Sequence, residues 1–338
     1  MSTKRNVLDA KATGLTMTAV ERDSYGAADL LEVRTVVRPT AAGADVLVAV
    51  SAAGLDRGAW HVMTGRPYLM RIAGFGLRRP KIHGLGSEMA GVVEAVGPDV
   101  IGLVPGDAVF GVGRASFAQY ALAPCSKLAQ MPTNLTSVQA AAVPVSGLTA
   151  LQALRDKGRI QAGESVLIIG ASGGVGTFAV QIAKALGAEV TGVCSTPKLD
   201  LVRSLGADHV IDYSTGDNSK GKRRYDLVLD IGGNRSLTGL RRMLSPRGTL
   251  VIVGGEDGGR WFGIGRQLRA IALSPFVRQR LGTLIASENS NDLDTLRTMI
   301  EDGAVTPVID RACSLLEIPD AMRDLEAGRI RGKVVAAI

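Results

Sequence analysis

A glycine-rich segment in the middle of the chain has the residue types and spacing of a phosphate-binding turn. The apolar run Val166–Ile169 leads into Gly-Ala-Ser-Gly-Gly-Val-Gly over 170–176, and apolar residues at helical spacing follow. A strand that turns through glycines into a helix presents backbone N–H groups and a positive dipole to a pyrophosphate. The first glycine permits the tight turn, the middle pair lets the phosphates approach the backbone, and the last permits close packing of helix on strand. The sequence therefore predicts a dinucleotide site at Gly170, Ala171, Ser172, Gly173, Gly174, Val175 and Gly176.

The residues about 20 positions further on bear on which dinucleotide is bound. In NAD-binding versions of this motif an acidic side chain at the end of the second strand accepts the ribose 2′-hydroxyl. This chain has Ser195, Thr196 and Lys198 there. Hydroxyl donors and a cation suit a 2′-phosphate, which a carboxylate would repel. The sequence therefore favours NADP (NADPH), with an exposed lysine at a helix start as the alternative interpretation of Lys198.

Two patterns of secondary structure divide the chain of 338 residues, a length that argues for two domains. From about 15 to 125, short β-rich runs separated by glycine and proline indicate a compact, barrel-like β domain. From about 165 onward, strands alternate with helices, which is typical of a doubly wound parallel sheet. The final thirty or so residues return to short strand-like runs. We expect them to pack back onto the first domain.

The composition excludes several classes of protein. With 46% hydrophobic and 21% charged residues, the chain can bury a core and is not intrinsically disordered. Aromatic residues make up only 4%, which argues against a nucleic-acid stacking surface. Lys plus Arg exceed Asp plus Glu by 39 − 32, a net charge of +7. We interpret short basic clusters, such as those at 78–81 and 220–224, as solvated surface, or alternatively as attracting an anionic partner.

Cysteine spacing and apolar run lengths bear on the compartment. Cys125, Cys194 and Cys313 are far apart and form no CxxC motif, which predicts a reducing environment. The charged N-terminal residues are not followed by the apolar run of a signal peptide, and no run is long enough to span a membrane. We expect a cytoplasmic protein with a small-molecule substrate, no membrane partner and no nucleic-acid partner.

Several short sequences, taken with 170–176, resemble those of a known family. They are Gly86–Gly91, Pro105–Asp107, Gly147–Ala150, Gln181–Lys184, Leu205–Asp208 and Gly328–Lys333. Together they resemble the medium-chain dehydrogenase/reductase superfamily, and more narrowly its zinc-independent quinone oxidoreductase and enone reductase branch. The resemblance extends over almost the whole chain from about Leu15.

The resemblance implies an α/β fold of two domains with a cleft between them. A GroES-like, β-rich catalytic domain would comprise 1–132 and 307–338, with about the first 14 residues as a tail. A Rossmann domain, built on a doubly wound parallel sheet, would comprise 133–306. The family positions that contact the cofactor correspond to Ser195, Lys198 and Tyr213 at the 2′-phosphate, to Thr149, Ile231, Gly232, Val253 and Gly254 near the nicotinamide, and to Lys333. Relatives often pair the edge strand that corresponds to 282–286 across a two-fold axis, so we expect a homodimer.

Zinc-dependent members of this superfamily use ligands that this chain lacks. They carry a catalytic cysteine and a Gly-His-Glu sequence, where this chain has Leu55-Asp56 and Ser87, and only Glu88 is retained. A zinc site needs about three protein ligands, and the three histidines show no paired spacing. The sequence predicts no metal. Without a Lewis acid, hydride transfer to a quinone or enone is easier than oxidation of an unactivated alcohol, because it needs mainly positioning and a proton source.

Two side chains are candidates for the chemistry itself. Tyr68 lies where relatives place a cleft tyrosine and could donate a proton to an enolate, although it could equally be a rim aromatic that only packs. Asp56 replaces the asparagine common in zinc-free relatives and could orient the nicotinamide amide or a water, or could cap a turn. Two other functions remain open: a zinc-free dehydrogenase of a specialised biosynthetic pathway, and a non-catalytic NADPH-binding protein with a regulatory or RNA-binding role.

Overall fold

Two large β-sheets organise the protein. The structure, a computed structural model, describes residues 14–215, 223–233, 235–254 and 265–338, so the predicted N-terminal tail up to residue 13 and part of the basic cluster at 220–224 lie outside the described residues. The described strands are β1 (Thr16–Glu21), β2 (Glu32–Val37), β3 (Asp45–Gly54), β4 (Glu88–Val96), β5 (Ala108–Val112), β6 (Tyr120–Pro124), β7 (Leu128–Gln130), β8 (Ser165–Ile169), β9 (Glu189–Cys194), β10 (His209–Asp212), β11 (Tyr225–Asp230), β12 (Leu244–Ile252), β13 (Arg280–Thr283), β14 (Ile309–Cys313) and β15 (Lys333–Ala337). The described α-helices are α1 (Arg57–Thr64), α2 (Ser137–Ala141), α3 (Pro144–Gln152), α4 (Gly174–Ala185), α5 (Leu199–Ser204), α6 (Leu237–Met243), α7 (Gly265–Leu273), α8 (Ser290–Glu301) and α9 (Ile318–Glu326).

The first large sheet is parallel throughout. Its six strands lie in the order β10-β9-β8-β11-β12-β13, with every neighbouring pair parallel. The order reverses between β8 and β11, as in dinucleotide-binding doubly wound folds. Strand β8 is almost wholly buried and apolar, because helices cover both faces of such a sheet. The predicted parallel-sheet domain is confirmed.

The second large sheet is mostly antiparallel and draws on both ends of the chain. Its strands lie in the order β14-β15-β3-β4-β5-β7, and β6 also pairs with β3. Strand β15 pairs antiparallel with β3, with Val335 opposite Gly54. The late strands thus return to the β-rich part, as the sequence predicted. The exact domain boundaries at 132/133 and 306/307 stay a prediction.

Small apolar residues fix one large region against the other. A single buried cluster joins Ala52, Ala90 and Phe110 of the mixed sheet to residues of α2, α3, α4 and the parallel sheet. Helix α2 begins with a capping box between Thr136 and Gln139. The helical segment is divided just before Pro144, whose ring cannot continue the backbone hydrogen bonds of α2. The small alanine side chains of this cluster allow the helices and the two sheets to approach one another closely. Among the described helices, none is long and apolar enough to cross a membrane.

Candidate functional site

A cleft opens at the carboxyl ends of the parallel strands. It has a volume of about 640 Å³ and runs past the ends of β8, β9, β11 and β12 to the N-terminal part of α1. Doubly wound sheets bind ligands at this edge, where the strand order reverses. The predicted site residues that line it are Asp56, Thr149, Gly170, Ser172, Gly173, Gly174, Val175, Ser195, Lys198, Tyr213, Ile231, Gly232, Val253, Gly254 and Lys333.

The glycine turn has the backbone geometry that phosphate binding requires. Gly170 has φ +91°, a left-handed conformation that favours glycine. Gly173 is the N-cap residue of α4 and has no side chain to cap it, which leaves the first N–H groups of the helix for a ligand. A Cβ on Gly174 would come within 3.0 Å of the Lys333 side chain, and one on Gly176 would lie 2.1 Å from the Gly170 carbonyl oxygen. The turn and helix end therefore suit the pyrophosphate of a dinucleotide.

Two predicted dinucleotide residues do not face the cleft. Ala171 is completely buried beneath the turn, and Gly176 lies one turn into α4, where the helix contacts the strand end. Both act on the site through packing. This agrees with the close helix–strand contact that the sequence predicted for Gly176.

A cation and two hydroxyl-bearing side chains lie together beyond the ends of β9 and β10. Ser195, Lys198 and Tyr213 all line this part of the cleft, and Tyr213 is 58% exposed. The Lys198 ammonium donates hydrogen bonds to the carbonyl oxygens of Gly328 (3.1 Å) and Ile330 (2.7 Å). Burial lowers the pKa of Lys198, and the nearby Arg331 guanidinium lowers it further. Lys198 thus brings a cation to this end of the cleft, whereas the Thr196 hydroxyl donates to the Asp212 carboxylate at 2.6 Å and does not line the cleft.

An arginine ties together the two loops at the predicted nicotinamide end. Arg266 contacts the buried Asp230 carboxylate at 2.7 Å. It also donates to the carbonyl oxygens of Arg235 and Gly254, each at 2.9 Å. Burial raises the pKa of Asp230, and the Arg266 charge opposes that shift. The loops after β11 and β12 are thus held at one fixed separation.

Asp56 has two hydrogen-bond partners within the protein. One carboxylate oxygen accepts the Ala59 N–H at 2.8 Å and so caps α1, and the other accepts the Ser87 hydroxyl at 2.9 Å. The side chain is buried but still lines the cleft. The alternative that Asp56 caps a turn is therefore realised, at a helix N-terminus. Its predicted role toward a nicotinamide or a water stays a prediction.

A buried ion pair lies beside Asp56, and one of its members, Lys333, lines the cleft. Lys333 and Glu88 are 2% and 0% exposed and contact each other directly. Lys333 also donates to the Leu55 carbonyl oxygen at 2.7 Å, and Glu88 accepts the Val145 N–H at 3.1 Å. Burial raises the pKa of Glu88 to about 7, against the lowering effect of the Lys333 charge. The pair joins β4 to β15 and so connects segments from both ends of the chain.

Tyr68 is not among the residues that line the cleft. It follows α1, and the Arg71 guanidinium lies 4.6 Å from the centroid of its ring. The structure therefore does not bring Tyr68 together with Asp56 in the cleft wall, and a catalytic role for the phenol stays a prediction. The contact with Arg71 agrees with the alternative interpretation, in which Tyr68 is a rim aromatic that only packs.

The structure places His61 in the cleft wall, which the sequence analysis missed. Its Nδ1 lies 2.8 Å from the Arg66 carbonyl oxygen. A carbonyl oxygen only accepts, so Nδ1 carries a proton. A lone histidine without a partner at metal-ligand spacing gave no signal in the sequence. Its position five residues after Asp56, on a helix that Asp56 caps, could have indicated it.

No metal-binding cluster occurs among the residues that the structure describes. Within those ranges, no three His, Cys, Asp or Glu side chains lie close enough together to hold an ion. Ser87, which stands where zinc-dependent relatives place histidine, donates its hydroxyl to Asp56. The independence from zinc stays a prediction.

Two family models match the chain. An alcohol dehydrogenase GroES-like domain matches residues 42–133, and a zinc-binding dehydrogenase domain matches residues 205–335. The chloroplast envelope quinone oxidoreductase homolog of Arabidopsis thaliana is 30% identical over 95% of this chain and 98% of its own length. The chain belongs to the medium-chain dehydrogenase/reductase superfamily, in its quinone oxidoreductase branch. The predicted family is confirmed.

Further relatives agree with this assignment. The mitochondrial NAD(P)H oxidoreductase RTN4IP1 of Mus musculus is 34% identical over 75% of this chain and 70% of its own. The structure of the quinone oxidoreductase from Coxiella burnetii superposes with a TM-score of 0.86 at 27% identity, covering 96% of this chain and all of that one. The predicted combination of a GroES-like domain and a Rossmann domain is therefore confirmed. The names of the two relatives mention a mitochondrion and a chloroplast envelope, so a cytoplasmic location stays a prediction.

Proposed function

We propose that the protein is an NADPH-dependent oxidoreductase that transfers hydride to a quinone or an activated alkene without zinc. The observation that carries this proposal is one continuous cleft with an uncapped helix N-terminus at its centre, a cationic pocket at one end and Asp56 with His61 at the other. Related proteins named as quinone oxidoreductases and as NAD(P)H oxidoreductases support it.

The chain's own groups would hold the cofactor along the cleft. The N–H groups at the start of α4 would bind the pyrophosphate, and Gly173 leaves room because a Cβ there would have its nearest neighbour 3.6 Å away. Ser195, Lys198 and Tyr213 would bind the 2′-phosphate. Thr149, whose hydroxyl donates to the Val145 carbonyl oxygen at 2.7 Å, and the loops fixed by Arg266 would orient the nicotinamide. The cofactor, when bound, supplies the hydride.

The residues at the other end of the cleft would then stabilise the negative charge that hydride addition leaves on the substrate and would supply the proton. Hydride addition to an enone or a quinone leaves negative charge on an oxygen, which a hydrogen-bond donor stabilises. The His61 ring already donates from Nδ1 to a backbone carbonyl, so a protonated ring can donate from Nε2 as well. Asp56, which caps the helix that carries His61, lies in the same wall of the cleft. We propose His61 as the proton donor, with Tyr68 as the alternative that the sequence suggested.

The edge of the parallel sheet supports a homodimer. Strand β13 is the last strand of the sheet order, and Phe276 and Ile285 on either side of it are 84% and 92% exposed. Pairing two such edges across a two-fold axis would satisfy their backbone groups and cover these side chains. Light scattering at micromolar concentration should give the mass of two chains; a stable monomer would contradict the proposal.

The decisive experiment is a spectrophotometric survey. Purified protein is mixed with NADPH or NADH and a set of quinones, enones and simple alcohols, and absorbance at the reduced-nicotinamide band is followed. We expect oxidation of NADPH with quinones or enones and no reduction of NADP with alcohols. Metal analysis should find well under one zinc per chain, and a chelator should leave turnover unchanged. Binding of NADPH without turnover of any acceptor would instead favour a non-catalytic role.

A further inference from the structure

The segment that follows α1 carries a concentration of exposed apolar side chains. Between residues 69 and 82, which we call the apolar loop, the exposed fractions are 38% for Leu69, 71% for Ile72, 44% for Phe75, 67% for Leu77 and 55% for Ile82. Single exposed apolar residues are ordinary, but a group of them on one short segment marks an interaction surface. Nothing in the reaction proposed above uses these side chains.

The backbone of the apolar loop is held by hydrogen bonds, so this exposure belongs to an ordered structure. The N–H of Gly76 donates to Arg71 at 3.2 Å, and that of Lys81 donates to Phe75 at 2.9 Å. The Tyr25 hydroxyl donates to the Phe75 carbonyl oxygen at 2.8 Å, and the Arg71 guanidinium donates to Gly65 at 2.8 Å. These bonds fix the backbone of the apolar loop to Tyr25 and to the end of α1.

The chain segment that contains the apolar loop carries charge of one sign, and the nearby Asp23 carboxylate contacts His83 just beyond the loop. Residues 57–87 contain five arginines and one lysine but no aspartate or glutamate, a local charge of +6 in a chain of net charge +7. Arg78, Arg79 and Lys81 lie within the apolar loop and are exposed. A surface that combines aliphatic side chains with unopposed cations is complementary to an anionic lipid layer, whose headgroups attract the cations and whose acyl region accepts the aliphatic groups.

Other occupants suit this surface less well. A second copy of the chain docked through the same loop would bring two sets of six cations together across the two-fold axis. A nucleic acid would satisfy the cations but would leave Ile72 and Leu77 without an apolar partner, and single strands are bound by aromatic stacking, for which the loop offers only Phe75. Anionic lipid satisfies both components of the surface.

We propose that the apolar loop docks the protein peripherally on membranes that contain anionic lipids, which departs from the sequence-based expectation of no membrane partner. The absence of a spanning helix among the described residues does not bear on this, because interfacial docking needs only a few inserted side chains. Arg71 joins the loop to the end of α1, the helix that lines the cleft with His61. Docking would therefore hold that wall of the cleft close to the membrane surface. The proposal is independent of the reaction.

The test is co-sedimentation of the whole protein with vesicles of phosphatidylcholine alone or of equal parts phosphatidylcholine and phosphatidylglycerol. We expect binding to the anionic vesicles that weakens with added salt. Each cation near such a surface contributes about 1 kcal/mol, or about fivefold in affinity, so Arg78→Ser/Arg79→Ser should weaken binding about 25-fold. Ile72→Ser/Leu77→Ser should weaken it at least about tenfold, because inserted aliphatic groups lose their apolar surroundings.

Matched variants elsewhere on the surface distinguish docking through the apolar loop from non-specific attraction between the protein and anionic vesicles. Ile101 and Val104 are 89% and 60% exposed, so Ile101→Ser/Val104→Ser controls for lost apolar surface, and Arg242→Ser/Arg247→Ser controls for lost charge. Both should bind like the unmodified protein. Equal losses in the control and loop variants, or no binding to anionic vesicles at low salt, would overturn the proposal. So would tighter, loop-dependent binding to a single-stranded oligonucleotide, or a loop-dependent change of oligomeric state without vesicle binding.

Discussion

The buried pair of Glu88 and Lys333 predicts an unusual dependence of stability on pH. Burial raises the pKa of Glu88 from 4.5 to about 7, so the folded protein binds this proton more tightly than the unfolded chain does. The stabilisation from that proton is therefore complete below the unfolded pKa and is lost as the pH rises through about 7. A difference of about 2.5 pKa units corresponds to about 3 kcal/mol. Most carboxylates have a lowered pKa in the folded state, so their contribution to stability is lost as the pH falls, and at a lower pH than this.

The perturbation that isolates this effect is the double substitution Glu88→Gln/Lys333→Met. It removes both charges together, so neither is left buried without its partner. Free energies of unfolding would be measured by urea denaturation at about pH 5 and about pH 8 for both proteins. We expect the unmodified protein to lose about 2–3 kcal/mol relative to the double variant over that interval, since the unfolded carboxyl is already partly ionised at pH 5. A relative change below about 0.5 kcal/mol would refute the reasoning that burial dominates the ionisation of Glu88.

A single substitution provides the internal control for this experiment. Lys333→Met leaves the Glu88 carboxyl buried beside only the Val145 N–H, and breaking a buried pair in this way typically costs about 3–5 kcal/mol. The loss should be larger at the higher pH, where the remaining carboxyl is driven toward its charged form. Restoring much of the stability by adding Glu88→Gln would show that the unpaired carboxyl causes the loss.

Three further predictions concern the cofactor and the proton. Lys198→Ala should raise the dissociation constant for NADPH about tenfold more than that for NADH, measured by fluorescence titration, and equal weakening would refute a 2′-phosphate contact. Gly176→Ala should destabilise the protein by about 1–3 kcal/mol in thermal melts, because its methyl group meets a carbonyl oxygen at 2.1 Å, while Gly173→Ala at the N-cap of α4 should cost about 1 kcal/mol at most and weaken NADPH binding. In single-turnover NADPH oxidation with an enone, His61→Gln should slow turnover by about 100-fold, and Tyr68→Phe by about tenfold at most. A larger loss of turnover in Tyr68→Phe than in His61→Gln would instead identify the Tyr68 phenol as the proton donor.

Local patterns made the parallel sheet and its glycine turn predictable. The turn needs a strand, glycines at fixed offsets and a helix, all within about 20 consecutive residues, so the sequence alone contains the whole arrangement. Lys198 and Ser195 were predictable for the same reason, since their place at the end of β9 follows from the count of residues after the turn. The structure brings both into the cleft beside that turn.

The parts of the site that the sequence did not predict depend on contacts between distant segments. Glu88 and Lys333 are 245 residues apart, and no local pattern indicates that a buried lysine will meet a buried glutamate. Tyr68 and His61 are separated by only seven positions, but the helix cap at Asp56 and the chain reversal at Gly65 decide which of them faces the cleft. Such orientation follows from tertiary packing, which residue spacing does not determine.

The pairing of β15 with β3 has a consequence for how the protein is made. Val335 pairs with Gly54, so the mixed sheet is completed only after a segment 281 residues later in the chain has been synthesised. The last strand of the parallel sheet, by contrast, ends at Thr283. On the ribosome the parallel sheet can therefore form first, while the part of the β3 edge at Ala52–Gly54, which β6 does not cover, stays open to other strands until β15 emerges. Contacts of such long range slow folding and expose strand edges to aggregation. Expression yield should accordingly be most sensitive to substitutions in β15, even where they lie far from the cleft.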